Sequence, residues 1–249
     1  SSAASLPYIG MRKRAITIAE QRFAEHKHEL LKLGLQERFE RIYHTNLWSD
    51  PETRSGTGSS LDSTRVLREK LPDALHELGT RVLLDIPCGD FSWMDHVDLS
   101  GIDYIGGDIV RSIIESNRQD KAGEGRSFLE LDLTRDPLPD ADVLLCRDCL
   151  VHLSDANIAR VLDNVRRSKI RYILMTSFPG RGDNADVEDG DWRPLDFEAA
   201  PFSFPAPILT IVEECEEEGG SYADKSLCAW AVKDMPAQIP SKSRHRGER

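Results

Sequence analysis

Short apolar runs, several closing on an acid or a cysteine, recur through the middle of this chain of 249 residues. Val82-Leu83-Leu84 ends at Asp85, and Tyr104-Ile105 passes through two glycines to Asp108. Phe128–Leu133 alternates and carries Asp132 near its end, while Asp142–Cys146 and Ile170–Ser177 are almost continuously apolar. Runs of this length between turn signals are the pattern of strands buried in a sheet. Between them the apolar spacing turns helical: Leu61–Leu78, a segment holding Trp93 and Met94, Val110–Gln119, and a stretch capped by Ser154 or Asp155 that runs to Arg167. Strand and helix in alternation predict βαβ units, a parallel sheet and right-handed crossovers. Two last strands, Ile208–Glu213 and Ser226–Val232, flank an acidic Gly-bearing turn and read as an antiparallel hairpin at the sheet's edge.

Outside this core the pattern changes twice. Ala15–Tyr43 is helical in spacing (Ile16, Ala19, Phe23, Leu30, Leu31, Leu35, Phe39, Ile42), with Gly34 expected to divide it into two helices. Asn46–Ser60 is then polar and rich in Gly and Ser, yet contains Trp48, whose indole calls for burial or a ligand. Ser55, Gly56, Gly58 and Ser59 could form a nest of backbone amides closing over an anionic group; the plainer reading is a surface loop with helix-capping serines. Residues 179–207 again lose periodicity, with Pro, Gly and six acidic or amide residues before Trp192. A loop this long inside a domain is functional or disordered, and Trp192, Phe202 and Phe204 argue for order. Residues 1–14 are expected to be flexible, 15–79 to form helices and a capping loop, 80–235 the main domain, and 236–249 a disordered basic tail.

Composition narrows the function class. A net charge of −11 argues against a nucleic-acid-binding body, and no apolar run is long enough to cross a membrane. Five cysteines in mostly apolar contexts predict free thiols in a reducing compartment, hence a cytoplasmic protein. Cys146 and Cys149 have C-x-x-C spacing, but no second pair or paired histidines accompany them, so the spacing is read as chance rather than as a metal or redox site.

The informative stretch is Val82–Met94, a strand running into a tight loop at Pro87-Cys88-Gly89. Such a loop presents backbone amides, and the start of a following helix, to a ligand beyond the carboxyl ends of the strands. A carboxylate about 20 residues on, here Asp108, is the usual partner of ribose hydroxyls. G-x-G-x-x-G is absent, since Pro87 and Phe91 stand where other glycines would be. A pyrophosphate needs those glycines for close backbone approach, so a nucleoside without phosphates fits better.

On these residues the chain resembles the class I S-adenosylmethionine-dependent methyltransferases. The likeness spans roughly Thr80–Val232 and rests on Val82–Phe91, on Asp108, on Asp132-Leu133, and on Cys146–Leu153 after the fourth strand. It implies a Rossmann-like, seven-stranded, mostly parallel sheet with helices on both faces, ending in an antiparallel hairpin. The helices before residue 60 lie outside the family's pattern and are expected, from their periodicity, to form an N-terminal helical lid. It further implies that Asp85 and Gly89 line the methionine side, Asp108 holds the ribose, and Asp132 and Leu133 border the adenine. Trp48, the Ser55–Ser59 loop, Pro87, Cys88, Ile109 and Arg147 complete the expected cofactor set. The cofactor implied is S-adenosylmethionine, with S-adenosylhomocysteine as product.

Methyl transfer from a sulfonium is an in-line displacement that requires a held acceptor and, for a hydroxyl, removal of a proton. His152 is the candidate base. Asp148, four residues earlier and on the same face of a helical turn, is its candidate orienter or a substrate ligand. The plainer reading of His152 is a packed residue bonded to a backbone carbonyl. Asn184, Asp186, Trp192 and Arg193 in the insertion are candidate substrate contacts. Asp183, Asn184, Asp186, Glu188, Asp189 and Asp191 could join Asp148 around a divalent metal; the favoured reading has no metal. The acceptor expected is a polar small molecule, a hydroxyl and first a sugar, with no nucleic-acid or membrane partner. The rivals are a non-catalytic S-adenosylmethionine-binding module, an N- or carboxyl-methyltransferase, and a nicotinamide-dependent reductase.

Overall fold

The structure, a computed structural model, describes residues 14–48 and 56–240. The expectations for residues 1–13, for Ser55 and for the basic tail after residue 240 lie outside the described residues.

Among the described residues seven strands form one sheet: β1 (Val82–Asp85), β2 (Asp103–Asp108), β3 (Arg126–Glu130), β4 (Val143–Cys146), β5 (Tyr172–Ser177), β6 (Leu209–Val212) and β7 (Ser226–Ala231). Their order is β3-β2-β1-β4-β5-β7-β6. The first five are mutually parallel, and β7 pairs antiparallel with both β5 and β6. This is the expected Rossmann-like α/β sheet with its closing hairpin. Alternate residues of each central strand feed two cores. Leu84, Leu144, Ile173 and Trp230 pack on one face with Ile158, Val161, Leu162 and Val165 of the helix Asp155–Arg167. Leu83, Val143, Leu174 and Leu227 pack on the other, with Leu67, Leu71 and Leu75 of the helix Arg65–Glu77.

The N-terminal segment divides at Gly34 as expected, into α1 (Ile18–Leu30) and α2 (Leu35–His44). The first is closed by a Thr17/Glu20 capping box. These helices share a small core of Phe23, Leu30, Ile42 and Leu47, so they need the rest of the chain for stability. Arg38 supplies one tie, donating to the Asp189 carbonyl in the insertion.

One expected element is absent. No α-helix follows β1 among the described residues; the segment to β2 holds a single 3-10 turn, Met94–His96. Asp90 accepts from the Ser92 amide and Asp98 from the Ser100 amide, local bonds that compete with a helix. Phe91, at φ 63°, turns the chain in the left-handed region. Its ring is buried edge-on against Tyr104 and Phe128, which offsets the conformational cost. The helix dipole expected at this loop is therefore missing, and the loop's amides at Ile86, Cys88 and Gly89 are bonded to Leu145, Gly107 and Asp108. The described residues contain no helix long and apolar enough to cross a membrane.

Candidate active site

The strand order reverses between β1 and β4, and at their carboxyl ends lies a cleft of about 1050 Å³ including its open mouth. Its floor is the loop Asp85–Asp90; Asp108, Ile109 and Val110 form one side and Leu131–Thr134 another. Leu35, Phe39 and Tyr43 of α2 roof it, with Trp48 and Ser59 at the rim. The lid predicted from helical periodicity is thus a wall of the cleft.

The loop is held from beneath by Asp108. One of its carboxylate oxygens accepts from the Gly89 amide at 3.1 Å and the other from the Val110 amide at 3.0 Å. Burial pushes its pKa up to about 6, against the pull of those amides. Gly89 adopts φ 55°, and its carbonyl accepts from Asn117 Nδ2 at 2.8 Å. Asp85 is also buried, accepting from the Tyr104 hydroxyl at 2.5 Å, and burial lifts it to about 7, with Asp108 adding to the rise. Gly107 and Gly106 are required by closeness: a Cβ on Gly107 would come 2.9 Å from Ile86, and one on Gly106 2.7 Å from Phe128. Asp132 lines the cleft, but its carboxylate is engaged by Thr134 and Arg135.

After β4 the chain passes through Arg147 and Asp148, the latter at φ 51° with its amide donating to Thr176 Oγ1 at 2.8 Å. The Asp148–His152 helical turn predicted from spacing does not form. The left-handed residue breaks it, and only the 3-10 turn Leu150–His152 follows. Asp148 instead meets Lys225 Nζ at 2.9 Å and Arg147 Nη1 at 3.4 Å. Arg147 in turn donates twice to one oxygen of Glu213, at 2.7 and 3.1 Å. Two cations and two anions thus interlock below the cleft. Burial works to raise the pKa of Asp148, but Lys225 and Arg147 outweigh it and hold it well below the usual carboxylate range. Gly58 lies against this pair, since a Cβ there would sit 2.7 Å from Asp148 Oδ2.

His152 donates no hydrogen bond to Asp148. Its Nδ1 lies 2.8 Å from the Asp191 carbonyl, which can only accept, so Nδ1 carries the proton and Nε2 is left as an acceptor. Burial pushes its pKa down to about 4, making the ring neutral at physiological pH. The imidazole stacks on Trp48, with centroids 4.4 Å apart.

Trp48, Asp148 and His152 also line a second chamber, about 970 Å³ with its opening to solvent included, continuing with Thr17, Gly56–Gly58, Phe178, Trp192, Cys215, Glu217, Tyr222 and Lys225. The structure therefore brings Trp48, Ser59, Asp85, Pro87, Cys88, Gly89, Asp108, Ile109, Asp132, Leu133, Arg147, Asp148 and His152 to the cleft. It moves Gly56 and Gly58 from the cofactor side to the second chamber, where Trp192 also lies. Asn184, Asp186 and Arg193 line neither space and serve the insertion's own architecture. Asn184 bonds the Asp196 and Ala200 carbonyls, Asp186 accepts from the Asp155 amide, and Arg193, 1% exposed, bonds the carbonyls of Leu150, Val151 and Ala185. The acidic loop does not converge on Asp148 either. Among the described residues no cluster of three His, Cys, Asp or Glu is placed to hold a metal ion. The thiols described are free. Sequence reasoning missed Lys225, Glu213, Tyr222 and Asn117. Only Lys225 carried a signal, a lone cation at the start of an apolar strand.

No protein-family model and no curated protein sequence matches the chain. Solved structures do match. A Leishmania major S-adenosylmethionine-dependent methyltransferase superposes with a TM-score of 0.58 at 16% identity, covering 86% of this chain and 91% of that one. The Burkholderia thailandensis 1,6-didemethyltoxoflavin-N1-methyltransferase, solved with its substrate and S-adenosylhomocysteine, gives 0.57 at 16% identity, covering 91% and 99%. The chain has the fold of the class I S-adenosylmethionine-dependent methyltransferases.

Proposed function

We propose that this chain transfers a methyl group from S-adenosylmethionine to a hydroxyl of a polar small molecule. The observation that carries the reading is Asp108. It is a buried carboxylate at the end of β2, tied by one oxygen to the loop that follows β1, in an apolar-walled cleft at the sheet's switch point. Its oxygens accept the amides of Gly89, Val110 and Ile109, and a carboxylate's four lone-pair sites leave room for a ribose hydroxyl. Ile109, Leu131 and Leu133 would flank the adenine, and the Asp85–Gly89 loop the amino-acid end. A single loop glycine suits a ligand without pyrophosphate. Bound S-adenosylmethionine supplies an electrophilic methyl carried by a sulfonium.

The chain's own residues then have three tasks. The second chamber holds the acceptor against the cleft, so that the reacting atoms meet in line. Neutral His152, Nδ1 fixed on the Asp191 carbonyl, offers Nε2 to the acceptor's proton. The α2 wall and Trp48 keep water from the sulfonium. The Leishmania and Burkholderia proteins, both methyltransferases of this fold, support the chemistry and leave the acceptor atom open, since the latter methylates nitrogen. The sugar expectation loses its ground, because the polar insertion residues behind it, Asn184, Asp186 and Arg193, do not reach the chamber.

Calorimetric titration with S-adenosylmethionine and S-adenosylhomocysteine tests the reading. Both should bind, and Asp108→Ala should weaken each by about 1.5–3 kcal/mol, the range for a hydrogen bond to a charged group. Equal affinity in the variant refutes the assignment. Formation of S-adenosylhomocysteine on turnover separates an enzyme from a module that only holds the cofactor.

A further inference from the structure

The second chamber has a composition of its own. Two walls are aromatic: the Trp48–His152 stack, and an edge-to-face trio of Phe178, Trp192 and Tyr222 with Trp192–Tyr222 centroids 5.0 Å apart. The polar groups beside them are largely engaged with each other. Lys225 is paired with Asp148, Thr57 Oγ1 donates to Glu217 at 3.3 Å, and the Tyr222 hydroxyl donates to the Ala15 carbonyl. Arg14, 5.4 Å from the Trp192 ring centroid, is held by Glu20. With Lys225 offset by Asp148, Glu217 and Glu218 leave the lining net negative. Trp48 Nε1 is buried without a hydrogen-bond partner among the described residues.

Resting on the methyl-transfer reading, we propose that this chamber takes a flat, uncharged aromatic molecule carrying the hydroxyl to be methylated. Ring faces and edges contribute most to a planar π system. A sugar would need donors as well as acceptors around its ring, and the lining donors Lys225, Thr57 and Tyr222 are already engaged. A carboxylate on the acceptor would meet Glu217 and Glu218, with no unpaired cation among the described lining residues to receive it. The orphan indole N–H of Trp48 gains a partner if an acceptor oxygen approaches, and His152 Nε2 takes the hydroxyl proton from the same side of the chamber.

The test is titration of the protein saturated with S-adenosylhomocysteine, using 2-naphthol, 6-hydroxy-2-naphthoate and methyl glucopyranoside, read by heat and by tryptophan fluorescence. The result expected is that 2-naphthol binds, at least roughly tenfold more tightly than the naphthoate, and that the glucoside does not. Trp192→Ala should weaken 2-naphthol about tenfold with S-adenosylhomocysteine affinity unchanged, and Trp192→Phe should recover most of the loss. Preference for the glucoside, equal binding of the naphthoate, or an unchanged Trp192→Ala overturns the acceptor class while leaving the cofactor reading intact. Failure to bind S-adenosylhomocysteine overturns both.

Discussion

Lys225 is the position where the site's electrostatics can be measured most directly. It is 7% exposed in its side chain and holds Asp148 at 2.9 Å, so Lys225→Met removes a buried cation and leaves the carboxylate behind. Breaking a buried pair from one side costs about 3–5 kcal/mol. Asp148 retains Arg147 at 3.4 Å and is 24% exposed, which places the expected loss near the low end, at about 3 kcal/mol. The sign with pH follows from Asp148, whose pKa is depressed in the folded protein. Its contribution is full above the unfolded aspartate value near 3.9 and fades as pH falls through the lower folded value. The variant should therefore be destabilised across pH 5–8 and approach wild type in strong acid. Urea unfolding followed by circular dichroism gives the free energies, and Asp148→Asn/Lys225→Met should recover part of the loss because the stranded charge is gone. A loss under about 1 kcal/mol would make the pair no better than an exposed one. A double variant as unstable as the single would likewise refute the reasoning.

Other outcomes follow from the same site. Because burial holds His152 near 4, its ring is neutral above that value, and turnover should show no acid limb near 6.5 from this group. His152→Ala should cut turnover on the order of 100-fold, far more than it weakens cofactor binding, and normal turnover would reduce His152 to a packing residue. Asp85, lifted to about 7 by burial, opposes folding when charged, so its effect destabilises the protein as pH rises from the unfolded value through about 7. Asp85→Asn, measured by urea unfolding without cofactor from pH 5 to 8, should flatten that slope and be relatively most stabilising at pH 8. A slope equal to wild type would contradict it.

The strands were legible because both faces of a central strand are buried, which leaves short apolar runs that helices do not imitate. The acids closing those runs mark the cleft for the same reason: a carboxylate at a strand end is tolerated where backbone amides await it, as at Asp108. The segment after β1 was misread as a helix because Trp93 and Met94 supplied apolar spacing while Asp90 and Asp98 supplied the competing turns. Spacing also misled at Asp148, since a left-handed residue changes which neighbours share a face. The insertion misled differently. A long segment without regular structure has many unpaired backbone groups, and Arg193 and Asn184 are spent on them, so their polarity reflects the insertion's own needs. Lys225 lies 77 positions from Asp148, beyond the reach of any local pattern.

Trp48, Asp148 and His152 form a party wall between cleft and chamber. A molecule on either side presses on the same indole, and the free energy of that contact is shared by both occupants. Linkage makes the sharing reciprocal: whatever the first arrival contributes to the order of the wall, the second finds already in place, and the second tightens the first to the same degree. On the proposed reading, those three shared side chains would hold the cofactor's sulfonium more firmly once its acceptor is seated.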